Sequence, residues 1–338
     1  MITWDIRNCF IPRPGYKICT IDYSGLELAC TAYQLYKITG KRNMLDILNQ
    51  GYEPIDPHSM LAYRFMNMKE GVNETYESFV QHKKENLYKQ YRQLAKPINL
   101  GFPGGIGYDT MRIVLSRYEI FPKLKVLSKA KKEEYLQGKM MILKKKGYPV
   151  RIRQVAKNLF ELVYDELVAL KDEMFSLYPD LKYFLNEGHK DFLTGKTKQI
   201  KNEFGEWKTE PMYSFEIEGF KRDWCTYTQF CNGILMQSGS AIGAKKATIK
   251  VMERFGDTDL LIPQAMIHDE ILSEVKECPQ MYDLIEEKAS IMLRSMQSIF
   301  PESRFACEAG FNNCWDKSKT EWSKIYWIEP HSNVIKSR

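Results

Sequence analysis

The sequence has no CxxC pair among its eight cysteines and no histidine at metal-ligand spacing from them. A zinc framework is therefore excluded, and the thiols read as reduced side chains of a cytosolic protein. The opening "MITWDIRNCF" has no basic-then-apolar signal pattern, and no run reaches the ~18 apolar residues of a membrane span. Internal repeats and low-complexity linkers are also missing. These absences leave a globular chain expected in the cytoplasm and away from membranes. Its 338 residues, 44% hydrophobic and 27% charged, suffice for a sizeable core and two or three subdomains.

Charge is unevenly spread. The stretch 123–158, "KLKVLSKAKKEEYLQGKMMILKKKGYPVRIRQVAKN", holds twelve lysines and arginines against two glutamates, so the rest of a chain of net charge +6 is slightly acidic. Such a concentration is the usual footprint of a polyanion, although a solvated helix face has the same composition. Lys144, Lys145, Lys146, Arg151 and Arg153 are its expected nucleic-acid contacts.

Periodicity supplies the elements. "GYKICTID" reads as a strand ending at Asp22, and Leu26, Ala29, Ala32, Tyr33 and Tyr36 recur at helical spacing. Asp56 followed by Pro57 marks a helix start. A long helix is expected over 75–100, stopping at "GFPGGIG" where Pro103 and the glycines forbid continuation. Residues 110–185 read as mostly helical, with breaks at Pro122, Gly138 and 147–149. An irregular hairpin turning near Gly205 follows, then a helix over 222–255. "LIPQAMIHDEILSEV" reads as a β-hairpin whose turn carries His268, Asp269 and Glu270. A closing helix over 279–300 precedes a short strand and an aromatic tail, which packs back or docks a partner.

Three constellations carry chemistry. Asp22 ends an apolar strand, and Glu27 stands on the first turn of the next helix. A carboxylate there needs a positive partner, which a metal ion, a lysine or helix amides could supply, or else one of the pair is a helix cap. Asp269 and Glu270 occupy a hairpin tip where Asn-Gly would turn more easily. If that hairpin lies beside the Asp22 strand, the two aspartates converge and repel unless divalent cations intervene. Hard oxygen donors without histidine or cysteine select Mg²⁺, and a pair of such ions suits in-line phosphoryl transfer. Arg92 and Lys96, four apart, share one helix face that can receive a polyphosphate, although an ordinary basic face looks the same.

Taken together and in order, these segments resemble the family A DNA polymerases, the bacterial DNA polymerase I group. "DYSGLELACTAY" is similar to motif A, "RQLAKPINLGFPGGIG" to motif B and "MIHDEIL" to motif C. "IRNCFIPRPGYKI", "DPHSMLA", "LMQSGSAIGAKKA" and "EAGFNNCWDKS" resemble flanking family segments, so the likeness runs from about residue 6 to 318. It implies an α+β fold: a palm whose small antiparallel sheet carries the catalytic aspartates, and a mostly helical fingers subdomain. The implied division is 1–60 palm, 61–185 fingers with the basic insertion, and 186–338 palm with the C-terminal tail.

The resemblance also implies roles. Asp22, Asp269 and the Tyr23 carbonyl would hold two Mg²⁺, and Glu27 would exclude a 2′-hydroxyl. Arg92 and Lys96 would grip the triphosphate of a dNTP, with Lys96 protonating the leaving pyrophosphate and Leu100 lining the nucleotide site. Glu270 would support the metal site, while His268, Gln237 and Asn232 would contact primer-template DNA. Departures accompany the matches. Leu100 stands where the family has Phe or Tyr, Gly104 where it has Tyr, and Gly25 and Ala29 where it has Gln and Arg. Pro97 implies a kink, Asn232 lies one residue out of register with Gln237, and the Arg expected shortly before that Asn has no clear match. Only 21 residues precede Asp22. The expectation is thus a split or minimal, phage-like polymerase, with a separate subunit bearing the thumb and exonuclease. Two other readings remain open: a phage-type RNA polymerase and a non-catalytic nucleic-acid-binding protein with a degenerate polymerase fold.

Overall fold

A computed structural model describes residues 6–115, 117–118, 120, 125–128, 150–156, 159–164, 166–201, 207–316 and 320–338. In chain order, β1 is Tyr16–Tyr23, α1 Leu26–Thr39, α2 Asn43–Asn49, α3 Pro57–Glu70, α4 Tyr76–His82, α5 Asn86–Gly101 and α6 Tyr108–Leu115. Then come β2 Lys125–Ser128, β3 Val150–Ala156, β4 Leu159–Tyr164, α7 Glu166–Leu177, α8 Pro179–Asn186, β5 Leu193–Lys201, β6 Trp207–Ile217 and β7 Phe220–Cys225. After α9, Tyr227–Cys231, a π-helical turn covers Asn232–Gln237 and continues as α10, Ser238–Phe255. The chain closes with β8 Leu261–Ile267, β9 Glu270–Lys276, α11 Met281–Gln297, β10 Phe305–Asn312, β11 Trp322–Ile328 and β12 Ile335–Ser337.

The chain divides into two compact units. One comprises 1–56, 215–222 and 232–338; the other comprises 57–214 and 223–231. The first is built on a six-stranded sheet of order β12-β11-β10-β1-β9-β8, antiparallel at every pairing. Alternation along β1 decides its two faces. Cys19, Ile21 and Tyr23 join Ile271, Val275, Cys307 and Ala309 in a core that takes in Leu284, Ile285, Met292 and Leu293 of α11. Ile18 and Leu272 point the other way and meet Trp315. Lys288 of α11 is fully buried in the first unit, its Nζ donating to the Ile271 carbonyl at 2.7 Å, and burial lowers its pKa. Arg304 is likewise buried, donating to the Gln50, Gly51 and Glu53 carbonyls and to Glu329.

In the second unit α5 is amphipathic: Tyr91, Leu94, Ala95 and Ile98 are buried and the opposite side is open. Pro97 lies inside the helix, which runs on to Gly101. Gly105, with φ 77°, closes the turn after α5, where a Cβ would stand 3.1 Å from the Cys231 Cβ. Its carbonyl accepts from the Thr228 hydroxyl at 3.2 Å.

Three expectations about elements need correction. The single helix over 75–100 is two, α4 and α5: Thr75 caps the first by accepting from the Ser78 amide, and the chain then turns at 83–85, where Glu85 is extended and starts the second. The helical reading of 110–185 fails in its middle, where β2, β4 and β3 form an antiparallel sheet. The helix expected over 222–255 starts only after β7 has ended at Cys225. Of the two readings of the tail, packing back is the one the structure shows. Trp322, Tyr326 and Trp327 lie on β11, paired with β10, and the last two are buried. All eight cysteines are free thiols. No described helix is long and apolar enough to cross a membrane.

Candidate active site

The first unit gathers carboxylates at one end of its sheet. Residues directly opposite each other in an antiparallel ladder share a face, and Asp22 lies opposite Glu270 of β9 on one side and Glu308 of β10 on the other. Between β8 and β9 the chain reverses through His268 and Asp269, with Ile267 paired to Glu270. His268 takes a left-handed φ of 57°. That conformation costs a non-glycine residue about 1 kcal/mol, although histidine tolerates it better than most. The tight reversal holds Asp269 against the end of β1, where the Tyr23 amide donates to the Asp269 carbonyl at 3.4 Å.

The Asp269 and Asp22 carboxyls interact electrostatically. Burial first, then the charges of Asp22 and Glu27, push the Asp269 carboxyl up to about 6. Neither Asp22 nor Glu27 caps α1: Gly25, at φ 65°, occupies the N-cap position without any side-chain cap. The cap alternative therefore fails, and the acidic pair needs another purpose. Tyr23 is anchored inward, its hydroxyl donating to the Met292 carbonyl at 2.6 Å.

Glu270 is only 5% exposed. Its Oε1 accepts from the indole Nε1 of Trp315 at 2.9 Å. That indole is held in turn by the Phe10 ring, edge-on at 5.5 Å, and by the Arg7 guanidinium at 4.8 Å. The Trp315 amide also donates to the Phe10 carbonyl at 3.0 Å. Sequence reasoning placed Trp315 in a tail and missed this contact. The available signal was that a buried indole N–H must find an acceptor.

The donor set admits a divalent cation of one kind. Among the described residues no three His, Cys, Asp or Glu side chains are grouped to hold a metal ion. Two carboxylates and a backbone oxygen are too few for a closed zinc or calcium cage. They fit a cation such as Mg²⁺, which keeps several waters or phosphate oxygens of its own. The repulsion from Asp22 and Glu27, which adds to burial in raising Asp269, is what such a cation would relieve.

The remaining expected residues fall as follows. Gln237, exposed, and Asn232, half-buried, belong to the first unit and bound the π-helical turn, whose i→i+5 pattern sets residues five apart one turn from each other. The Thr31 hydroxyl of α1 lies 3.3 Å from the Leu235 carbonyl in that turn and 2.7 Å from the Glu27 carbonyl. His268 is exposed at the hairpin tip. Arg92, Lys96 and Leu100 lie on α5 of the second unit, Lys96 exposed and the other two half-buried. Asn99 beside them is buried, its Nδ2 donating to the Pro57 carbonyl at 2.9 Å. Arg151 and Arg153 lie on β3. Lys144, Lys145 and Lys146 lie outside the described residues.

No protein-family model and no curated protein sequence matches the chain. Among solved structures it is similar to the POL domain of Pol1 from M. smegmatis, in complex with DNA primer-template and dNTP, with a TM-score of 0.50 and 16% identity. The match covers 92% of this chain and 42% of that one, so the chain spans less than half the length of its neighbour. At this identity the likeness is one of fold: a polymerase-like arrangement of helices and antiparallel sheets.

Proposed function

We propose that the chain is a DNA polymerase core that adds dNTPs to a primer 3′ end under the direction of a template. The juxtaposition of Asp22 and Asp269, a strand end and a hairpin tip sharing one acidic site, carries this reading. The polymerase-like fold supports it, since the neighbour of that fold holds DNA primer-template and dNTP.

In this reading Asp22 and Asp269, with the Tyr23 carbonyl, hold two Mg²⁺, which when bound supply charge neutralisation for an in-line displacement at phosphorus. The protein does the rest by position. Glu27, in the first turn of α1, stands where a ribose 2′-hydroxyl would come and favours deoxynucleotides. Arg92 and Lys96 receive the triphosphate as a fork and a point charge, and Lys96 protonates the leaving pyrophosphate. Leu100 continues that stripe beneath the nucleotide. Glu270, locked by Trp315, keeps the hairpin tip in place, and His268 lies along the primer. Gln237 and Asn232 meet minor-groove acceptors, which are similar for every base pair and so report pairing geometry without reading sequence. Arg151, Arg153 and Lys144–Lys146 hold backbone phosphates.

Primer extension by the isolated chain tests this. Wild type should extend a primer with dNTPs in preference to rNTPs, and Glu27→Ala should narrow that preference. Asp22→Ala or Asp269→Ala should reduce extension at least about a thousandfold, roughly 4 kcal/mol of barrier, while DNA binding persists. Extension that persists undiminished in Asp22→Ala and Asp269→Ala would refute this reading of the site.

A further inference from the structure

The second unit contains a cavity of about 300 Å³ that the acidic site does not use. One wall is the N-terminal half of α5, where Asn86, Lys89, Gln90 and Gln93 recur at i, i+3, i+4 and i+7 and so form one stripe. Arg117 and Tyr118, just beyond α6, form the other wall with Ile120. That second wall is tied down, because the Ile120 carbonyl accepts from Lys69 Nζ of α3 at 2.5 Å.

The chemistry of the lining is one-sided. Among the described residues it offers two cations, three carboxamides and a phenol, and no carboxylate. Neither the Lys89 nor the Arg117 side chain has an ion-pair or hydrogen-bond partner among the described residues. Elsewhere in this unit charged side chains near one another are neutralised, as in Arg64–Glu173 and Lys190–Glu187. Two uncompensated cations in one concavity raise the local potential, which an anion relieves. A point-charge ammonium beside a planar fork is a pairing suited to phosphate oxygens. Asn and Gln can both donate and accept, as a base edge requires, and Tyr118 offers a ring on which a base can stack. The volume lies at the lower end of ligand pockets, roughly 300–1,000 Å³, so the occupant is small.

We propose that this cavity binds a single nucleotide unit, its phosphate between Lys89 and Arg117 and its base among the carboxamides and Tyr118. The site is distinct from the Arg92/Lys96 stripe. Lys89 and Gln93 line the cavity, whereas Arg92 and Lys96 are not among its described lining residues: Lys96 lies further along the helix, seven residues after Lys89, and Arg92 is turned away from Gln90. The inference goes beyond the polymerase reading and does not depend on it, since it needs neither Asp22 nor Asp269.

The occupant can be a residue of a single strand or a free nucleotide, and the test separates these sources. Binding of a 5′-labelled ten-residue oligothymidylate is measured by fluorescence anisotropy in EDTA, and binding of dTMP by calorimetry. Wild type is compared with Lys89→Gln/Arg117→Gln and with the control pair Lys182→Gln/Lys198→Gln, which removes the same charge from exposed positions of the same unit. All four side chains are exposed, so folding should be unchanged. The proposal expects the cavity pair to weaken binding of at least one ligand fivefold or more beyond the control. If the strand is the occupant, the salt slope for the oligonucleotide should also fall by about 0.7 per lost phosphate contact. Equal affinities for the cavity and control pairs with both ligands would overturn it. Because no turnover is read, loss of the cavity effect and failure of primer extension are separate outcomes.

Discussion

Asp269 is held where its charge is unwelcome. In an unfolded chain an aspartate titrates near ~3.9, whereas here burial and the charges of Asp22 and Glu27 raise it to about 6. A carboxyl raised on folding costs stability once it ionises. The penalty is absent below about pH 4, grows as pH rises, and is complete above about pH 6. The side chain is partly exposed, so solvent screening trims the cost to about 1 kcal/mol. Asp269→Asn should therefore raise the melting temperature in EDTA at pH 7.5 by a few degrees, and the gain should vanish by pH 4. Added Mg²⁺ should stabilise wild type and not the variant. Scanning calorimetry at the two pH values checks both; a less stable variant at pH 7.5 would contradict this account of the pair. Asp22, Glu27, Asp269 and Glu270 were all legible in the sequence, because acidic residues between apolar runs are conspicuous. Trp315 was not. Its partner Glu270 is 45 residues away on β9, and only the folded sheet brings the loop after β10 to it.

Among elements, those with strong punctuation were legible. β1 alternates, α1 starts after a glycine turn, and the β8–β9 hairpin is two apolar runs around a polar tip. The strands β3 and β4 were obscured by their setting. "VRIRQVA" alternates as a strand should, but it lies in a lysine- and leucine-rich stretch whose composition favours helix. The register shift between Asn232 and Gln237 has a physical reading that sequence alone could not give. A π-helical turn absorbs one extra residue, so a spacing of five restores the relation that four gives in an α-helix. Gly233 permits the turn to pack, since a Cβ there would lie 2.5 Å from the Phe215 ring. Gly233→Ala should cost about 1–3 kcal/mol by overpacking, measured by urea denaturation. No loss of stability would mean that the ring yields freely and the turn is not constrained there.

At the scale of the molecule the candidate machinery is divided: the acidic pair and Glu27 belong to one unit, and Arg92, Lys96 and the anion cavity to the other. The sequence pattern ran the length of the chain, but the bounds of the units were not legible. Residues 215–222 belong with the first unit although the chain on either side belongs with the second, and nothing in the local composition marks that exchange. The most direct test is anomalous diffraction from crystals grown with Mn²⁺, primer-template DNA and an incoming dNTP. The account predicts a metal peak bonded to carboxylate oxygens of both Asp22 and Asp269. Manganese bound elsewhere, with those two side chains turned apart, would contradict it.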